Sequence, residues 1–105
     1  MDEIQVIDAP ERERYELLVD GELAGFAEYR GNGPTRAYTH TEIDDRFEGR
    51  GLGSKLVQAV LDDARAKGFH VLPMCPFVNA YLDRHHEYLD LVEPHIRAAF
   101  NLPVT

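Results

Sequence analysis

Apolar and polar residues alternate with a period of two along the first half of the chain, and with a helical period along the second. The first rhythm predicts strands, the second helices. Ile4 to Ile7 alternates with polar neighbours, and Arg14 to Val19 follows as a second strand. Asp20-Gly21 separates Tyr15–Val19 from Glu22–Tyr29, which marks a tight hairpin. Gly31-Asn32-Gly33-Pro34 makes the next turn, and Arg36 to Ile43 forms another strand. An antiparallel meander of three or four strands is expected.

From Leu52 onward the apolar positions Leu56, Val60 and Ala64, with Val57 and Leu61 beside them, define one face of a helix. Arg65 and Lys67 suit the negative end of that helix, and Gly68 is a stop signal. Phe69 to Met74 reads as a short buried strand. Pro76 then opens a helix through Phe77, Tyr81 and Leu82, and Glu93 to Phe100 reads as a last short helix. The order meander, helix, strand, helix predicts a mixed α+β fold. A helix joining two neighbouring strands makes them parallel, in a right-handed crossover.

With 105 residues the chain is expected to form a single domain over residues 1–105. Its net charge of −8, from 19 acids against 11 Lys and Arg, argues against nucleic acid as a partner. No apolar run approaches the roughly 18 residues of a membrane span, and no signal-like segment opens the chain. The single cysteine, Cys75, excludes an internal disulfide and suits a reducing cytoplasm, the expected location.

One segment concentrates the chemistry. In Glu48-Gly49-Arg50-Gly51-Leu52-Gly53-Ser54-Lys55-Leu56-Val57, glycines at alternate positions run into the helix and Arg50 and Lys55 flank the turn. Glycine lets backbone approach a ligand closely, and a helix start offers unpaired N–H groups and a positive dipole end. Together they form a cradle for a phosphate or diphosphate. A Walker A loop is excluded, because no second glycine precedes Lys55. A dinucleotide fingerprint would need glycine at Ser54 or Leu56.

The remaining pattern resembles the acetyl-CoA loop of the GNAT (GCN5-related N-acetyltransferase) superfamily, Gln/Arg-x-x-Gly-x-Gly/Ala between a central strand and a long helix. Arg46-x-x-Gly49-x-Gly51 satisfies every letter. Glu48-x-x-Gly51-x-Gly53 sets its last glycine better at the helix start, where Leu52 begins the periodicity. Residues 50–57, the Lys67-Gly68 helix end, Leu72-Pro73-Met74-Cys75-Pro76-Phe77-Val78 and His85–Val92 are similar to the short YjdJ-like branch of that superfamily. The resemblance covers about Gly21 to Val92. It implies a GNAT-like acyl-CoA N-acyltransferase fold in which the strands at Tyr38–Ile43 and Phe69–Met74 splay to admit a pantetheine arm.

By that resemblance, backbone groups near Glu42 and Ile43 pair with the arm's amides. The N–H groups of Arg50, Gly51, Leu52, Gly53 and Ser54 take the diphosphate, with Arg46, Arg50 or Lys55 neutralising charge. Tyr81 is the implied proton donor to the leaving thiolate. Cys75, at a strand end before a Pro-initiated helix, is expected beside the thioester and is a candidate nucleophile. Alternation puts His40 and Glu42 on one strand face, where either could accept the amine's proton. His70, His85, His86 and His95 lack a metal-ligand spacing, and no metal is expected. The implied activity is acetyl transfer from acetyl-CoA to an amine of unknown identity, whether small molecule, peptide or protein lysine. A non-catalytic acetyl-CoA module and Cys75-dependent acyl transfer or thioester hydrolysis are the alternatives.

Overall fold

The computed structural model describes residues 3–31 and 33–104. Asn32 of the turn expected at residues 31–34 lies outside the described residues. Strands β1 (Ile4–Ala9), β2 (Arg14–Val19), β3 (Glu22–Arg30), β4 (Thr35–Ile43) and β5 (His70–Leu72) form one sheet in sequence order. The first four pair antiparallel, and β4 with β5 is parallel. The meander therefore has four strands. Asp20 and Gly21 both take positive φ, 50° and 83°, the geometry that a two-residue hairpin loop requires.

Helix α1 (Leu52–Lys67) crosses between β4 and β5 and buries Leu56, Val57, Val60, Leu61 and Ala64 against the sheet. Gly68 ends it in the left-handed region, its N–H reaching the carbonyls of Ala64 and Arg65. Each buried leucine or valine on this face contributes about 1.5–3 kcal/mol. Helix α2 (Pro76–Arg84) packs beside α1, followed by a 3-10 segment (His86–Leu91) and the short α3 (Pro94–Ala99). Among the described residues no helix is long and apolar enough to cross a membrane.

Strand β5 is shorter than the apolar run Phe69–Met74 suggests. Its pairing with β4 stops at Ala37 opposite Leu72, because Met74, next in line after His70 and Leu72 to face β4, turns its N–H back to Leu72 O (3.0 Å). One further bond, from Cys75 N to Tyr38 O (2.8 Å), closes the junction. Among the described residues, no strand lies beside the outer edge of β4 beyond Tyr38. An irregularity at Thr39 adds to the divergence by shifting the β3–β4 register between Glu28 and Tyr29.

The sheet has one covered face and one without a helix. Tyr15, Leu17, Ala27, Tyr29 and Tyr38 point to the helical side and are buried. Opposite them, Arg14, Glu16, Phe26, Glu28, His40 and Glu42 alternate onto the open side. Glu16 is nevertheless only 6% exposed. Arg12 and Arg14 hold it at 2.9 and 2.8 Å, and these guanidiniums keep its carboxyl below the usual range against the opposing effect of burial.

Candidate functional site

Between the end of β4 and the start of α1 lies a cavity of about 320 Å³. Its walls are Thr41 and Ile43 of β4, Phe47, Glu48, the glycine turn with Leu52 and Ser54, and Phe77 of α2. The 16-residue helix α1 starts here without a capping side chain: Gly51 is its N-cap, and no acidic residue stands in its first turn. The first helical bond, Lys55 N to Gly51 O, is 3.4 Å long. The amides of Leu52, Gly53 and Ser54 precede that bond and have no carbonyl within the helix to receive them. Orphan N–H groups and the positive dipole end thus open onto a cavity, an arrangement that suits an anion. Gly49 and Gly51 hold φ of 80° and 70°, which explains glycine at both.

The same cavity runs to the unpaired edge of β4. Asp44 N donates to Ala24 O (2.8 Å), so Asp44 faces β3. Alternation then turns the main-chain groups of Ile43 and Thr41 outward and those of Glu42 toward β3, where Glu42 sits opposite Phe26. Of the two residues expected to pair with a ligand's amides, Ile43 has the right direction. The main-chain groups of Glu42 point toward β3, and those of Thr41 point outward beside Ile43. An extended molecule with amides could add to this edge as a strand does.

The other expected residues distribute unevenly. Cys75 is 3% exposed, sits at the N-cap position of α2 without a capping side-chain bond, and donates its thiol to Thr41 Oγ1 at 3.5 Å, so it faces the gap from the β5 side. His40 Nε2 and Glu42 Oε1 meet at 3.2 Å on the open sheet face. They do share a face, but it is the one opposite the cavity, because α1 covers the side on which Thr41 and Ile43 lie. Arg46 is drawn away into ion pairs with Asp44 (3.2 Å) and Glu22 (2.7 Å), which raise its pKa, while its backbone N–H (2.9 Å) and then its guanidinium lower that of Asp44. Arg50 lies over the Phe47 ring at 5.6 Å. Lys55 is exposed on α1 and, like Arg46 and Arg50, is not a wall of the cavity. Glu48, by contrast, places a carboxylate-bearing side chain in the wall.

Tyr81 does not reach this cavity. It is 4% exposed, stacks on His85 with ring centroids 4.0 Å apart, and packs near Tyr88. Burial, then the nearby Glu87 and Asp62 carboxylates, raise its phenol pKa. Phe77, read from the sequence only as a helix residue, is instead a cavity wall. Its sequence signal was an apolar side chain in the first turn after Pro76.

A second recess of about 470 Å³ lies at the other end of α1, lined by Asp8, Tyr15, Asp62, Asp63 and Lys67 among others. Its charges satisfy one another. Tyr15 donates to Asp63, Lys67 reaches Asp63 (2.9 Å) and Asp8 (3.4 Å), and Tyr29 donates to Asp8 (2.6 Å). This network ties the meander to α1.

The architecture is thus a parallel crossover on a four-stranded meander, with an uncapped helix start facing a split sheet. Residues 14–91 match the family model described as GCN5-related N-acetyl-transferase, and the chain belongs to that family. It is 36% identical over 74 residues to an L-methionine sulfoximine/L-methionine sulfone acetyltransferase of Pseudomonas paraeruginosa, covering 62% of this chain and 43% of that protein. Identity to the Pseudomonas aeruginosa protein of the same description is 35%, over the same coverage. The chain therefore spans less than half the length of these relatives. The solution structure of a GCN5-like protein from Staphylococcus aureus superposes with a TM-score of 0.66 at 21% identity, covering 89% of this chain and 91% of that one. The expected GNAT-like fold is thereby shown.

Proposed function

We propose that the protein binds acetyl-CoA and transfers its acetyl group to an amine. One observation carries the reading: the uncapped start of α1 and the free edge of β4 open onto one cavity. The amides at residues 51–54 would hold the diphosphate. Thr41 and Ile43 would pair with the pantetheine amides, leading the thioester into the gap beside Cys75. Glu42, first expected among these backbone partners, contributes through its side chain instead.

The amine then enters from the open sheet face. Its nitrogen attacks the thioester carbonyl, the C–N bond forms, the C–S bond breaks and CoA leaves as thiolate. His40 or Glu42, on that face, accepts the amine's proton directly or through a water. Solvent returns a proton to the thiolate, since Tyr81 is packed elsewhere. The two Pseudomonas relatives make amino-acid-like amines the first acceptors to try, with polyamines and lysine peptides beside them.

The test is calorimetry with CoA, followed by thiol release from acetyl-CoA in the presence of each amine. Thiol release matched by an acetylated product supports transfer. Binding without turnover against every amine would make the protein a non-catalytic acetyl-CoA module. A second reading draws on the Cys75–Thr41 contact. There the Cys75 thiolate attacks the thioester, expels CoA and passes the acetyl group on. Mass spectrometry after acetyl-CoA exposure would then find an acetyl adduct that Cys75→Ala abolishes.

A further inference from the structure

The glycines of the turn are there for different physical reasons. A Cβ on Gly49 or Gly51 would meet open space, and both residues need glycine for their positive φ. Gly53 lies within helix α1 and has no positive φ. A Cβ there would stand 2.6 Å from Cζ and 3.1 Å from Cε2 of Phe77. The tip of the Phe77 ring therefore rests on the Gly53 backbone, closer than any other residue type at position 53 would allow.

The position of that ring is informative. Phe77 stands in the first turn of α2, two residues after Cys75, whose N–H closes the β4–β5 junction. Gly53 stands in the first turn of α1, at the anion cradle. The ring thus bridges the cradle and the gap. It is 40% exposed although wholly apolar, and faces a cavity whose other apolar walls are Ile43, Phe47 and Leu52. An aromatic side chain held at a cavity wall and left half wet gains by being covered when a ligand arrives.

We propose that Phe77 is a positioning residue for the coenzyme: seated on Gly53, its ring forms the apolar wall against which the pantetheine arm packs between the cradle and the gap. The arm's methyl-bearing carbon and methylene groups suit this wall, while its amides suit the edge of β4 on the other side. The missing Cβ at Gly53 then serves the ring, while its N–H stays in the cradle. This inference rests on the acetyl-CoA reading and deepens it.

A double-mutant cycle read by CoA calorimetry tests it, with thermal melting alongside. Phe77→Ala should weaken CoA binding roughly 10-fold, and Phe77→Leu should restore most of that loss. Gly53→Ala should also weaken binding, because the new methyl displaces the ring, yet should melt no lower than the parent, alanine being the better helix former. In the Phe77→Ala background, Gly53→Ala should cost nothing further. If the parent protein gives no heat with CoA, the acetyl-CoA reading fails. If the parent binds and Phe77→Ala binds equally well, only the proposed role of Phe77 is overturned. Equal cost of Gly53→Ala in both backgrounds would assign the glycine to phosphate approach and refute the seating.

Discussion

Replacing Gly51 separates backbone conformation from side-chain contact with little ambiguity. The residue has φ 70° and ψ 17° at the N-cap of α1, and an added Cβ meets no atom within 4 Å. Any cost is therefore that of holding an L-residue in the left-handed region, about 1–2 kcal/mol. For a domain of this size that lowers Tm by roughly 4–16 °C. Asparagine tolerates the region better than alanine, and a β-branched side chain tolerates it worst. The expected order of stability is Gly, Asn, Ala, Val. The first bond of α1, from Lys55 N to Gly51 O, is long at 3.4 Å and gives the turn room to adjust. Part of the strain will accordingly be relieved by rotating the turn, and the amides at 52–54 will lose their common direction. CoA affinity should follow the same order, with Gly51→Val at least roughly 10-fold weaker, the effect of a 1.4 kcal/mol loss. Thermal melting and calorimetry on the four proteins read both quantities. Equal melting temperatures across the series would refute the conformational argument. Unchanged affinity in Gly51→Val would show that these amides do not hold the coenzyme.

Glu48→Gln removes a negative side chain from the cavity wall, so CoA should bind a few-fold tighter and the gain should shrink in high salt, as titration at two ionic strengths will show. Tyr15→Phe breaks the bond to Asp63 but leaves Lys67 at 2.9 Å, which predicts a stability loss near 1.5 kcal/mol at pH 7, the low end for a bond to a charged group. Burial pushes the Asp63 carboxyl up, but Tyr15 and Lys67 outweigh it and the folded-state pKa is lowered. Its contribution is thus present above the unfolded carboxylate pKa and lost as pH falls through the folded value. The gap between parent and Tyr15→Phe in urea melts should close in acid, and should also narrow above the ordinary tyrosine pKa of about 10, because burial and Asp63 hold the Tyr15 phenol protonated while the unfolded chain ionises. Tyr81→Phe should leave kcat within about twofold, whereas His40→Ala combined with Glu42→Gln should lower it by roughly 100-fold, the low end for a lost proton acceptor. A large loss from Tyr81→Phe with the double variant unaffected would reverse the assignment of roles.

Much of the fold was legible because local chemistry and tertiary packing agree. The alternation of Tyr15, Leu17 and Val19, the Asp20-Gly21 loop, the α1 stripe and the Gly68 stop all appear where the sequence puts them. Strand β5 was overextended because apolarity carried the reading past Leu72, whereas the Met74 N–H turns back to Leu72 O and leaves the ladder there. The site was less legible. Period two correctly joined His40 to Glu42, but alternation alone cannot say which face a distant helix will cover. Likewise, Phe77 and Tyr81 are one helical turn apart. That step of about 5.4 Å is enough to put one at the cavity and the other among His85 and Tyr88. Ion pairing of Arg46 with Glu22, 24 positions earlier in the chain, depends on the meander closing first.

The short seam between β4 and β5 has a consequence for how long the protein lasts. Three residue pairs and the Cys75–Tyr38 bond hold that seam, so an extended molecule in the gap would act as a missing piece of architecture. On the proposed acetyl-CoA binding, mass action would tie resistance to unfolding to coenzyme supply, by about 2.7 kcal/mol at 100 times the dissociation constant. Cells rich in acetyl-CoA would then carry a sturdier, more protease-resistant population, and starvation would thin it by turnover.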